Sequence, residues 1–195
     1  MSIKAIAKDL NISPTTISFV LNNKAVERRI SPALINRVKD HIEKIGYEPN
    51  QMAQSLRTGK SKMVVFMVQD ISEPLVAAIA KVIEQRLFME GYTTIYCSTD
   101  NAVDKTRRLI RQFNHLSIDG YIIAPPKEFN TCEFQELITK GKAIVYFDHQ
   151  ISSPECSPEA LANALADAMV KSLIHPGLTK VNEENRIQNL SVAGE

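Results

Sequence analysis

A chain of 195 residues with 44% hydrophobic and 23% charged side chains can bury a core, which excludes an intrinsically disordered or collagen-like protein. Cys97, Cys132 and Cys156 are odd in number and far apart, which excludes a disulfide framework; they read as reduced, buried thiols. The formal charge of +1 hides an asymmetry: residues 1–62 hold eleven Lys and Arg against five Asp and Glu, a net +6, and the other 133 residues carry −5.

Ile3, Ile6, Ala7 and Leu10 recur at helical spacing and leave Lys4, Lys8 and Asp9 to solvent. Asn11, Ile12 and Ser13 break that pattern. Asn tolerates the left-handed backbone of a tight turn, and Ser13 can cap a second helix with Pro14 at its first position. Ile17, Val20 and Leu21 form the second helix's buried face, and Thr15, Thr16, Ser18 and Phe19 line its other sides. This is the pattern of a helix-turn-helix, whose second helix enters the major groove of DNA. The bland alternative is a structural hairpin. The basic head favours a polyanion partner held through phosphate contacts, with salt-dependent affinity.

Ser31 and Pro32 start a third helix through Leu34, Val38, Ile42 and Ile45, and Gly46 ends it. Tyr47 has two roles open to it, packing its ring on this core or offering its hydroxyl to a phosphate. Residues 49–56 form a short, weakly amphipathic segment before Thr58, Gly59 and Ser61; isolated helices this short are marginal in water.

From Met63 the period changes. MVVFMV, TTIYCS, GYIIA and AIVYF read as short buried strands alternating with helices over Glu73–Glu90, Asp104–Leu116 and Cys132–Thr139. The expected fold is α/β, an open doubly wound parallel sheet behind an all-α head. Ligands of such sheets sit beyond the carboxyl ends of the strands, where Asp70, Ser72, Asp100, Asp148 and His149 fall. The three Asp can rim a polyol, or serve only as caps and turns. A last helix starts at Ser157-Pro158-Glu159 and ends before Pro176-Gly177. The expected domains are a DNA-binding head over 1–48, a linker over 49–62, an α/β lobe over 63–149 and an irregular tail with one helix over 150–195.

No GxGxxG or GxxxxGK[ST] loop occurs, and His41, His115, His149 and His175 share no triad or zinc spacing, so no catalytic residue, cofactor or metal is expected. No apolar run approaches a membrane span and Met1 leads straight into an amphipathic helix, so the expected location is cytoplasmic.

Residues 2 to about 149 resemble the lac repressor/gal repressor (LacI/GalR) family of bacterial transcription regulators. Beyond the helix-turn-helix, VLNNKAVERRISPALINRVKDHIEKIGYEPNQMAQSLRTGKS is similar to the family's VLN, variable loop, VS, third helix, GYxPN and AxSL blocks. The resemblance implies a repressor of carbohydrate or small-metabolite genes that binds a near-palindromic double-stranded operator as a homodimer. It assigns Ser2, Ser13, Pro14, Thr15, Thr16 and Ser18 to DNA, with Phe19, Asn22, Tyr47, Asn50, Ala53 and Leu56. Residues 49–56 become a hinge helix, with a linker to 62, whose Leu56 wedges between base steps of the minor groove. A sugar or small-metabolite effector falls to Asp70, Ser72, Asp100, Asp148 and His149, within the N-terminal half of a periplasmic-binding-protein-like core.

The chain departs from the family pattern at several places. Phe19 stands where Arg is usual; a neutral ring cannot make a bidentate contact to guanine but can pack on a thymine methyl. Asn11 replaces the usual turn Gly, Ala5 a common Asp, and His149 a common Arg. Glu73, Leu75 and Val76 stand in place of an Asn-Pro-Phe-Phe-like run. The second lobe is expected to be missing or vestigial, with RIQNLSVAGE echoing a later family segment. The competing expectation is a relic, or a small-molecule-binding fragment, whose core does not dimerise and whose head binds DNA without specificity.

Overall fold

Three serines start the three helices of the N-terminal unit. Ser2 caps α1 (Ile3–Asp9), Ser13 caps α2 (Pro14–Leu21) and Ser31 caps α3 (Pro32–Lys44), each side chain accepting a backbone N–H three residues on. Proline occupies the first helical position of α2 and α3, where its missing N–H costs nothing. Asn11 takes φ +50 in the turn, and Gly46 takes φ +59 just past α3. Ile6, Ala7, Ile17, Val20, Ala25 and Val38 form the core of this unit.

The computed structural model describes residues 2–47, 54–55, 58–147, 157–181 and, by backbone alone, 187–190. The chain divides into two compact units, Met1–Gln51 and Met52–Glu195.

The second unit is built on a sheet. Strands β1 (Met63–Val68), β2 (Thr93–Ser98), β3 (Gly120–Ile123), β4 (Ala143–Phe147), β5 (Leu178–Val181) and β6 (Ile187–Leu190) lie in the order β2-β1-β3-β4-β5-β6. Neighbours are parallel except β5 and β6, where Val181 faces Ile187 in an antiparallel pair. Strand β1, flanked by β2 and β3, is apolar throughout because both its faces are covered. Val64, Phe66 and Val68 point into one core, beneath α4 (Pro74–Met89) and α7 (Pro158–Ile174). Val65 and Met67 point into the other, with Leu109, Ile110 and Phe113 of α5 (Val103–His115) and with Phe134 and Leu137. Phe134 closes a 3-10 turn (Thr131–Phe134), and Leu137 belongs to α6 (Gln135–Thr139). The order reverses between β1 and β3, so the topological switch point lies at the carboxyl ends of those two strands.

The segment entering β1 is fastened from beneath. Asp119, 8% exposed, accepts the Ser61 N–H (2.9 Å) and hydroxyl (3.2 Å) on one carboxylate oxygen and the Lys62 N–H (3.0 Å) on the other. Residues 54, 55 and 58 are helical, and the Gly59 N–H donates to the Ser55 carbonyl at 2.7 Å.

The helical head and the open parallel sheet are as expected. Among the described residues beyond 150 two strands stand beside the expected helix. Leu161, Ala162, Leu165, Ala168, Met169 and Leu173 of α7 bury in the first core beside α4, and β5 and β6 extend the same sheet past β4. A helix with that many apolar residues on one side needs a covering surface, and the sheet supplies it. The cysteines also need correction: Cys132 is exposed and Cys97 half-buried, with burial pushing the Cys97 thiol pKa up against the opposing charge of Lys105. Cys156 lies outside the described residues.

Candidate nucleic-acid interface

The turn between α1 and α2 is set by short-range bonds. The Ile12 N–H donates to the Ala7 carbonyl at 3.0 Å, and the Ser13 hydroxyl accepts the Thr16 N–H at 3.0 Å while lying 2.8 Å from the Thr16 hydroxyl. Ile17 and Val20 fix the rotation of α2 by burying against α1 and α3. That rotation leaves Ser13, Pro14, Thr15 and Asn22 exposed and Thr16, Ser18 and Phe19 half-buried. None of them is sealed in the core. Asn22 turns back on its own helix, its side-chain amide donating to the Ser18 carbonyl (2.6 Å) and hydroxyl (3.3 Å). Ser2 is exposed and caps α1, its hydroxyl accepting the Ala5 N–H at 3.3 Å. Tyr47 is half-buried, packed against the core of the head.

Among the described residues of the head, eight Lys and Arg face four Asp and Glu. Lys4, Lys8, Lys24, Arg28, Arg29, Arg37, Lys39 and Lys44 are all exposed. Arg37 already donates to the Leu10 carbonyl at 2.6 Å, where the unpaired carbonyls of α1 end, a placement the helix dipole favours. Arg28 lies over the Phe19 ring, 5.1 Å from its centroid. The sequence pattern gave no hint of that pair.

At the carboxyl ends of the strands the structure brings the loops after β1 and β2 together. The Asp100 N–H donates to the Gln69 carbonyl at 2.9 Å, and the Ile71 N–H to the Ser98 hydroxyl at 3.1 Å. Asp70 accepts the Ser72 N–H at 2.8 Å, and bonds from the backbone and side chain of Ser72 hold its carboxyl below the ordinary carboxylate value. Asp100 takes φ +53 and accepts from the Lys105 ammonium at 2.6 Å. The Asp70 carboxylate therefore serves its turn already, and the Asp100 carboxylate an ion pair. Asn50, Ala53, Leu56, Asp148 and His149 lie outside the described residues.

Residues 2–50 match the family described as bacterial regulatory proteins, lacI family. Residues 2–50 are therefore a lacI-family head. A LacI-family head is thus followed in this chain by the parallel sheet that its structural relatives share. It is 33% identical over 122 residues to the HTH-type transcriptional regulator KdgR of Bacillus subtilis, a match spanning 63% of this chain and 35% of that protein. It is 32% identical over 147 residues to the sucrose operon repressor of Streptococcus mutans, spanning 75% of this chain and 44% of the relative. Among solved structures it is similar to the lac repressor dimer bound to operator and an anti-inducer, with TM-score 0.64 and 17% identity, over 76% of this chain and 44% of that one. The chain thus spans less than half the length of these relatives, which are transcription regulators rather than enzymes.

Proposed function

We propose that this chain is a sequence-specific transcription regulator, a repressor of carbohydrate or small-metabolite genes, that binds a near-palindromic operator as a homodimer. The supporting observation is α2 itself, a capped helix that buries Ile17 and Val20 and keeps Ser13, Pro14 and Thr15 exposed on a basic head. Each copy reads a half-site with Ser13 to Asn22 in the major groove, and paired Leu56 side chains open the centre of the site from the minor groove. Ser2 and Tyr47 contact the backbone, with Asn50 and Ala53 in the hinge. Two-fold symmetry then sets the spacing of the half-sites. The effector is a sugar or small metabolite bound at the carboxyl ends of the strands by Asp70, Ser72, Asp100, Asp148 and His149. The protein acts in the cytoplasm, on the nucleoid.

Selection of bound duplexes from a random pool, with sedimentation of the protein and its complex, tests this. The expected result is an enriched, two-fold symmetric site occupied by a dimer. A monomer that enriches no sequence at any salt concentration refutes it.

A further inference from the structure

Phe19 and Arg28 come from different stretches of the head and meet, the Arg28 guanidinium carbon 5.1 Å from the ring centroid. Phe19 sits about one helical turn beyond Thr15 and Thr16, so its ring shares their side of α2. The loop that carries Arg28 is tied to the same residue. The Lys24 N–H donates to the Phe19 carbonyl at 2.9 Å, and the Arg28 N–H to the Lys24 carbonyl at 3.0 Å. Ala25, 5% exposed, plugs the loop into the core, and its carbonyl accepts the Ile30 N–H at 2.9 Å. Asn23 and Arg29 take φ +56 and +54 to make the bends.

Among the described residues Arg28 forms no ion pair. A guanidinium over an aromatic face is held by the ring's quadrupole while its N–H fork stays available to outside acceptors. A long side chain otherwise loses rotamer freedom when it binds; here the ring has already restricted it.

We propose that Arg28, seated on Phe19, is a base-reading residue of the head. Its guanidinium donates to O6 and N7 of a guanine beside the bases reached from α2, and Phe19 is the positioning residue that holds it there. This rests on the reading that the head binds duplex DNA.

The test uses the full chain and the duplex it selects from a random pool. Arg28→Ala, Arg28→Lys, Phe19→Leu and the Arg28→Ala/Phe19→Leu pair are titrated on that duplex and on a scrambled one, with circular dichroism to verify folding. Arg28→Ala is expected to lose about tenfold or more on the selected duplex and to relax the preference at one base pair of each half-site. Arg28→Lys keeps the charge without the fork, so it restores scrambled-duplex binding but not the preference. Phe19→Leu should erase the preference at that same base pair and add little to Arg28→Ala. The inference is overturned if the Arg28 variants select the wild-type site with wild-type affinity. It is equally overturned if Arg28→Ala weakens both duplexes alike and Arg28→Lys restores both, the behaviour of a phosphate contact. A wild-type chain that enriches no site removes the DNA-binding reading itself; normal wild-type selection with unaffected variants removes this inference alone.

Discussion

Asp119→Ala removes one carboxylate and unties three donors at once. Hydrogen bonds to a charged group are worth about 1.5–3 kcal/mol each, most of it expressed when a buried donor is left without a partner. Ser61 is 7% exposed, so its N–H and hydroxyl are stranded; Lys62 is exposed, so water replaces its lost acceptor. The expected cost is therefore about 3 kcal/mol rather than the sum of three bonds. The backbone of residue 119 is unaffected, since its N–H donates to the Met63 carbonyl at 3.0 Å and its carbonyl accepts the Ala143 N–H at 3.0 Å. The variant should hence fold and simply be weaker. In urea unfolding at neutral pH followed by circular dichroism, a slope of about 2 kcal/mol/M puts the midpoint about 1.5 M lower with the slope unchanged. Asp119→Asn keeps one acceptor and turns an amide N–H toward a donor, so its midpoint should fall between the two. A shift under about 0.3 M for Asp119→Ala would refute the claim that this carboxylate fastens the segment entering β1.

Glu133 accepts from Arg107 through both oxygens, at 2.7 and 2.8 Å, and those bonds chiefly hold its carboxyl below the ordinary 4.5. A lowered carboxylate stabilises fully at neutral pH and loses that contribution as acidification passes below about 4.5 and on through the folded-state value. Arg107→Gln should flatten the fall of the urea midpoint between about pH 5 and pH 3, measured against wild type. A Cβ on Gly120 would stand 2.7 Å from the Met169 sulfur and 3.3 Å from the Ala143 carbonyl oxygen. Gly120→Ala should cost about 1–3 kcal/mol of stability by thermal melting, and Gly120→Ala with Met169→Ala should cost less than the two singles together. For DNA, Leu56→Ala should weaken binding to the selected duplex more than to random duplex in gel-shift titrations. Lys60→Ala should weaken both alike and lower the salt slope.

What was legible in the sequence was local. Ser13-Pro14 and Ser31-Pro32 announce helix starts because capping is decided within four residues, and Asn11 announces its left-handed turn for the same reason. MVVFMV could only be a strand covered on both faces. The misses all depend on distant partners. LTKV and IQNL carry little strand signal of their own; β5 becomes a strand by lying against β4, and β6 by lying against β5. Asp119 precedes a glycine and looks like a turn residue, yet its partners are 58 and 57 positions away. Asp70 and Asp100 were legible as residues at strand ends, but Ser72 and Lys105 as their neighbours were not. Within the head, the apolar spacing fixed which side of α2 stays open, whereas the meeting of Arg28 with Phe19 depends on how the loop folds back.

Arg37 closing the end of α1 separates two quantities that a charge count merges. One N–H of its guanidinium is committed to a carbonyl of its own fold, so the side chain swings out to a passing phosphate less readily than a lysine standing free in water. Counterion release scales with cations that engage DNA, at about −0.9 in log affinity per phosphate against log salt for duplex. The measured ionic-strength dependence of this head should accordingly fall short of what its eight positive residues suggest, and the shortfall counts those the protein keeps for itself.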